Sequence, residues 1–167
     1  MVRGATLREL KSALDARSAG GVEWTGRTQT AINANVPTDA KGCRLYDASI
    51  KLTLTVILPA LAPETRLSAG EEQQWRKMES ALADHEEGHV QIALDGAERI
   101  LRAIHSSRCG SWRSAAATET KALNDSQAQY DRVTDHGRQK QAEYVGRASS
   151  ADNLNGYPVD WTVDAAK

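Results

Sequence analysis

The sequence has no excess of charge of either sign, because 21 Lys and Arg residues are balanced by 22 Asp and Glu residues. A chain without a basic excess has no general attraction to nucleic acid or to an anionic membrane surface. It also lacks an apolar run long enough to span a bilayer. The longest apolar-rich stretch, "LTLTVILPALA", contains threonines and is interrupted by Pro59. We therefore expect neither a nucleic-acid partner nor a transmembrane segment.

Cysteine is scarce as well, since the chain has only Cys43 and Cys109. Neither belongs to a CxxC motif and neither is next to a histidine, which argues against a thiol zinc site and against a dithiol redox motif. An even pair is compatible with one disulfide and equally with two free thiols.

The first ten residues, "MVRGATLREL", lack the apolar core and the small-residue cleavage site of a secretory signal peptide. Taken literally, this start predicts a cytoplasmic protein. A chain whose leader has been removed, with Met1 added, has the same start, so the sequence leaves the compartment open here.

The chain of 167 residues has the length of one domain that buries a core unaided. We predict a single domain over residues 1–146 and an irregular tail over residues 147–167. Leucines at helical spacing predict a short helix over residues 5–18, and a segment rich in Val, Trp and Thr predicts a strand over residues 22–34.

The segment "DASIKLTLTVILP" has the clearest strand pattern in the sequence. Apolar residues occupy every second position from Ile50 to Leu58, which is the period of a strand with one buried face. Pro59 and Pro63 end it. Such a strand belongs to a small antiparallel sheet, and we expect it to be exposed along an edge.

From Ser68 onward the period becomes helical. Ser68 and Glu71 have the spacing of a capping box, and apolar residues at steps of three and four predict a long helix over residues 69–107. A second helix is predicted over residues 112–136, with Gly137 as its C-cap. The sequence therefore predicts an α+β fold, with a small antiparallel sheet packed on a long helix and a following helix.

The heptapeptide "DHEEGHV" places His85 and His89 on the apolar stripe of the long helix, about 40° apart around its axis. Both rings can therefore reach one metal ion. In HExxH metallopeptidases the glutamate after the first histidine, here Glu86, does not bind the metal. It takes a proton from the activated water and passes it to the leaving amine. The alternative is a charged helix with two buried core histidines, but two histidines and a glutamate in this register favour a metal site.

A catalytic zinc site needs a third protein ligand and keeps one position for water. In a continuing helix Asp95 lies about 240° around the axis from the second histidine, which disfavours it. An antiparallel second helix can return His136 to the site, and Glu119 or Glu143 can serve if a following helix carries them there. The residues alone leave this choice open.

The same residues resemble a bacterial family of predicted secreted zinc-dependent proteases, known mainly as a domain of unknown function. The shared features are "HEEGH" followed by "IAL", the stretch "YDRVTDHG", the segment "VEWTGRT" and the two cysteines. The similarity extends from about Leu7 to Tyr144. The combination is far more specific than "HEEGH" alone.

The resemblance implies a zincin-like domain that binds zinc and acts as a metallopeptidase. It implies a secreted or periplasmic location and a peptide or protein substrate, including one in the cell envelope. It makes His136 the third zinc ligand beside His85 and His89, and it supports a disulfide between Cys43 and Cys109.

On this basis we expect a zinc-dependent peptide-bond hydrolase with Glu86 as general base. The substrate is expected to pair with the strand at residues 49–57, and Tyr130 is the candidate donor to the oxyanion. One alternative is a non-catalytic zinc site closed by a fourth ligand such as Asp131 or Asp135. Another is a peptide- or cell-envelope-binding module that uses its edge strand. The sequence gives no indication of oligomeric state.

Overall fold

The computed structural model describes residues 3–18, 26–136 and 159–163. The helices in these ranges are α1 (Leu7–Ser18), α2 (Ala69–His105) and α3 (Trp112–Thr134). The strands are β1 (Arg27–Asn35), β2 (Thr38–Asp39), β3 (Gly42–Cys43), β4 (Ser49–Ile57) and β5 (Val159–Val163). The predicted α+β fold is confirmed. In the described part of the chain, no helix combines the length and the apolar character that crossing a membrane requires.

The alternating pattern gives β4 one buried face, as predicted. Ile50, Leu52 and Leu54 are buried, whereas Lys51 between them is exposed. This face packs on α2, because the helix directs a matching apolar stripe toward the sheet. The buried residues of α2 in this main core are Val90, Ala93, Leu94, Ala97, Ile100, Leu101 and Ile104.

The main sheet has the strand order β1–β4–β5, so β4 is its central strand. β1 pairs with β4 in antiparallel fashion along the whole of both strands, which confirms the small antiparallel sheet. β5 pairs with β4 in parallel on the other side. The prediction that residues 49–57 form an exposed edge is therefore wrong. A side-chain pattern shows which face of a strand is buried, but not how many strands its backbone bonds to. Among the described strands, none pairs with the outer edge of β1.

The strands differ from the prediction at two places. Within the segment 147–167, predicted as an irregular tail, Val159–Val163 forms β5; the alternating letters "VDWTV" are its only local signal. The rest of that segment lies outside the described residues. The strand predicted over residues 22–34 begins at Arg27, and residues 22–25 also lie outside the described part.

Helix α2 begins at the predicted capping box. The Glu71 N–H donates to Ser68 Oγ at 3.4 Å, and the Ser68 N–H donates to Glu71 Oε2 at 3.1 Å. The first turns of α2 pack on α1, where Trp75 contacts the cluster that contains Leu10 and Leu14. The long helix is thus fixed at its start by α1, while its middle packs between the sheet and α3.

Helix α3 ends two residues earlier than predicted. Its C-cap is Asp135 with a φ of 47°, followed by His136 with a φ of 50°. Gly137, the predicted cap, lies outside the described residues. Non-glycine residues seldom adopt left-handed φ values, and such backbone is often found at functional sites. Val133, in the last turn of α3, is 58% exposed.

A disulfide joins Cys43 at the end of β3 to Cys109 in the turn between α2 and α3, with a Cα–Cα distance of 5.6 Å. The pairing implied by the family resemblance is confirmed. The bond ties the chain entering β4 to the end of the long helix, across a sequence separation of 66. A loop of that length corresponds to about 4 kcal/mol of stabilisation in the chain-entropy model.

Candidate metal centre

The middle of α2 and the last turns of α3 bring two histidines and a carboxylate together. His85 Nε2 and His89 Nε2 lie 3.2 Å apart, and Asp131 Oδ1 lies 3.3 Å from the first and 2.9 Å from the second. For bonds of 2.0–2.1 Å, ligand atoms in a tetrahedral zinc site are roughly 3.3 Å apart. The three atoms therefore already have the spacing of three metal ligands.

The side chains from α3 come from one face of that helix. Gln127, Tyr130, Asp131 and Thr134 follow each other at steps of three, one and three residues, so they share a stripe. This stripe lies against the HExxH segment of α2, as their contacts with its two histidines show. The site is therefore a helix–helix contact whose centre is polar.

Acceptors on α3 favour the tautomer of both imidazoles that carries its hydrogen on Nδ1. The Gln127 amide donates from Nε2 to the His89 main-chain oxygen at 3.0 Å, so its Oε1 faces His89 Nδ1 and accepts from it. Thr134 Oγ1 donates to the Tyr130 main-chain oxygen at 2.8 Å and therefore accepts from His85 Nδ1 at 3.3 Å. In a neutral histidine only one ring nitrogen carries hydrogen. Both Nε2 atoms are thus left with lone pairs.

Two nitrogen lone pairs and a carboxylate oxygen now point at one another in a nearly closed space. His85 is 3% exposed, and the side chains of His89 and Asp131 are 12% and 28% exposed. Burial, and then the neighbouring His89, lower the pKa of His85, which opposes protonation of that ring. A cation satisfies the three lone pairs together, whereas a proton is shared by only two atoms. The donor set therefore fits a metal ion.

Glu86 lies beside this group and is buried, with 2% exposure. Burial raises the pKa of its carboxyl group, and a hydrogen bond from Thr28 partly opposes this effect. The Thr28 hydroxyl donates to Glu86 Oε2 at 2.6 Å. A buried carboxylate with a raised pKa next to a metal-type donor set is typical of a catalytic base.

Tyr130 packs against both histidine rings. Its ring stacks on His85 with centroids 5.0 Å apart and planes at 8°, and it meets His89 edge-on, also at 5.0 Å. Its hydroxyl lies against Gly88, where a Cβ would collide with the ring. Tyr130 is 5% exposed. This placement supports the ring orientations, and the proposed oxyanion role of Tyr130 stays a prediction.

Comparison with known protein families identifies the family of this chain. A family described as "Bacterial protein of unknown function (DUF922)" matches residues 1–137. The chain belongs to this family. The match includes both helices of the metal centre and the strand that carries Thr28. No curated protein and no solved structure matches the chain.

The DUF922 chain brings most of the predicted site residues together. His85, Glu86 and His89 lie where the HExxH pattern predicts. His136, the predicted third ligand, lies at the edge of the site, with its Nδ1 3.5 Å from Asp131 Oδ1. The donor atoms that all lie within 4.8 Å of one another belong to His85, His89 and Asp131. Asp131 therefore takes the third position in this group, and ligation by His136 stays a prediction.

Sequence reasoning missed Gln127, Thr134 and Thr28. The sequence does contain a signal for Gln127 and Thr134. Together with Tyr130 and Asp131 they occur at helical spacing and form a polar stripe on α3, a helix with few apolar residues on its inner face. Thr28 had none beyond its place in "VEWTGRT". Its contact with Glu86 joins residues 58 positions apart.

We expect Gln127→Ala to weaken the binding of a divalent metal ion about 10- to 100-fold, because the His89 ring loses the acceptor that fixes its orientation and tautomer. Competition with a chromogenic chelator measures the affinity. Gln129→Ala is the matched control, since Gln129 is exposed two residues further along α3 and accepts a hydrogen bond from Arg132. Equal affinities of the two variants would show that Gln127 does not support the site.

We expect Glu86→Gln to stabilise the metal-free protein at pH 7 by on the order of 1 kcal/mol, or about 2–4 °C in Tm. The folded-state pKa of Glu86 is raised above its unfolded value. The folded state therefore binds the extra proton as pH falls through that pKa, and the penalty of the buried charge is relieved there. Calorimetry in chelator should show the advantage of the variant at pH 7 and its decrease toward about pH 4.5.

Glu87→Gln is the control for this experiment. Glu87 is exposed, so this variant has the same change in net charge as Glu86→Gln without a change in a buried group. An advantage of Glu86→Gln that stays constant with pH would contradict the assignment of a raised pKa to Glu86.

Proposed function

We propose that this DUF922 protein is a zinc-dependent peptide-bond hydrolase. One observation carries the proposal: the Nε2 atoms of His85 and His89 converge with a carboxylate oxygen of Asp131. The buried carboxyl group of Glu86 lies next to these three donors and is not one of them. Three protein ligands with a neighbouring base are typical of catalytic zinc sites, whereas structural sites have four ligands.

Zinc is the metal that suits these donors best. Imidazole nitrogen and carboxylate oxygen are both common zinc ligands, and the spacing of the three atoms agrees with tetrahedral geometry. A bound zinc ion would supply a Lewis acid that polarises a peptide carbonyl and makes water more acidic.

Glu86 has the position of the general base. Its carboxylate takes one proton from water as the water oxygen attacks the carbonyl carbon of the peptide bond. It then gives that proton to the nitrogen as the C–N bond breaks, and the second water proton also passes to the amine, which leaves a carboxylate and an ammonium group. Burial raises the pKa of this carboxyl group in the metal-free protein, which makes its carboxylate a stronger base.

The outer edge of β1 is the proposed place for the substrate, in place of residues 49–57. β4 has strands on both sides, whereas none of the described strands pairs with β1 on its outer side. Thr28 of β1 touches Glu86, so this edge begins at the base. An extended peptide that pairs with β1 would therefore pass close to Glu86.

A zincin-like arrangement and a secreted or periplasmic location belong to the same proposal. The HExxH helix packed under a small sheet supports the first. The disulfide supports the second, because such bonds persist in oxidising compartments. Peptides of the cell envelope are then within reach of the site.

A structural metal site is the second candidate. His136 Nδ1 lies 3.5 Å from Asp131 Oδ1, on backbone with a φ of 50° that holds the residue next to the site. A fourth ligand from His136 would close the coordination sphere and leave no position for water. In that case zinc would stabilise the α2–α3 contact without catalysis.

The test compares hydrolysis of fluorophore-labelled unfolded casein by the zinc-loaded parent and by Glu86→Gln. We expect the parent to release labelled peptides, and a chelator to stop the release. Glu86→Gln should bind zinc within a few-fold of the parent affinity and lose about 100- to 10,000-fold in rate, because proton transfer contributes that much.

Glu87→Gln is again the matched control and should retain the parent rate. Casein cleavage by Glu86→Gln at the parent rate would contradict the mechanism. Tight zinc binding by a parent that cleaves no casein or peptide library would favour the structural site.

A further inference from the structure

The start of β1 contacts the metal centre, although it supplies no metal ligand. Gly26 and Thr28 both face Glu86 and come from "WTGRT" in the segment shared with the family. Glu86 is the base of the proposed mechanism, in which Gly26 and Thr28 have no role. Thr28 contacts one oxygen of the carboxylate and Gly26 lies next to the other, so the two oxygens have different surroundings.

Thr28 holds one oxygen of the carboxylate. Its hydroxyl donates to Glu86 Oε2 at 2.6 Å and lies 3.3 Å from the Glu86 main-chain oxygen. The short distance is typical of a hydrogen bond from a hydroxyl to a charged acceptor. The contact therefore connects the edge strand to the HExxH helix at the catalytic base.

Gly26 lies over the other oxygen. A Cβ on Gly26 would collide with Glu86 Oε1 and would come within 3.0 Å of the carboxyl carbon. A Cβ at position 26 would displace Oε1, so glycine lets the carboxylate keep this position. A carboxylate restrained at Oε2 and given room at Oε1 has one oxygen that is left for proton transfer.

We propose that Thr28 is a positioning residue that fixes the Glu86 carboxylate through Oε2, so that Oε1 acts as the base. This inference rests on the proposed hydrolytic function. Because β1 is also the proposed substrate edge, the strand that pairs with the peptide orients the base toward it. Misplacement of a catalytic group by about 1 Å can cost on the order of 100-fold in rate.

The experiment compares Thr28→Val, Thr28→Ser and the parent, all loaded with zinc. Valine keeps the shape of threonine and loses the hydroxyl, whereas serine keeps the hydroxyl. Labelled casein is the substrate, and both kcat and KM are measured. The control is Thr38→Val, because Thr38 is an exposed threonine of β2 and lies outside the strand proposed to pair with the substrate. Zinc affinity and crystal structures of the parent and Thr28→Val give readouts that do not depend on activity.

For Thr28→Val we expect kcat to fall about 10- to 100-fold, with KM and zinc affinity within about threefold of the parent. Thr28→Ser should recover most of the rate. The crystal structure of the valine variant should show the Glu86 carboxylate turned away from its parent orientation. A valine variant with parent kcat and an unmoved carboxylate would overturn the proposal.

A parent that hydrolyses no substrate would refute the proposed function but would still allow this inference to be tested. The crystal structures then decide it alone. A Glu86 carboxylate that keeps its orientation without the Thr28 hydroxyl overturns the positioning role, and a carboxylate that turns away supports it.

Discussion

The close approach of α3 to α2 is the contact on which the whole site depends. Two glycines of α2 allow it: a Cβ on Gly88 would collide with the Tyr130 ring, and a Cβ on Gly96 would lie 2.7 Å from Leu123 Cδ1. At this short separation the polar stripe of α3 reaches the ring nitrogens of α2 directly. A wider separation of the helices would leave the imidazoles without acceptors.

The site also places groups in the interior that oppose folding. The carboxyl group of Glu86 is buried, and the lone pairs of two rings and of Asp131 face one another. Such an arrangement is costly in a metal-free protein. The apolar core between β4 and α2 and the Cys43–Cys109 disulfide offset that cost. A site that stores unfavourable contacts until a cation binds is consistent with the proposed metal dependence.

Local patterns in the sequence predicted the parts of the fold that depend on neighbouring residues. The period of two predicted the buried face of β4, and the capping box predicted the start of α2 at Ala69. Helix geometry predicted that the rings of His85 and His89 lie close enough to reach one metal ion. The disulfide and the involvement of the "YDRVTDHG" stretch came from the family resemblance, because neither has a local cause.

The features that the sequence did not predict depend on contacts between segments that are far apart in the sequence. β4 is central because β5, about a hundred residues later, pairs with it. The choice between Asp131 and His136 depends on where α3 ends, and Asp135 ends it in a left-handed conformation two residues before the glycine that the sequence predicted as its cap. Thr28 reaches Glu86 only after β1 has paired with β4 and the sheet has packed on α2.

The most direct test of this account is the zinc X-ray absorption spectrum of the zinc-loaded protein, together with its zinc content. The account predicts one zinc ion per chain, with two imidazole ligands and oxygen in the remaining positions. It also predicts that Asp131→Ala loses most of the bound zinc while His136→Ala keeps it. A spectrum with three imidazoles, or a protein that binds no zinc, would contradict the claim that His85, His89 and Asp131 form the metal centre.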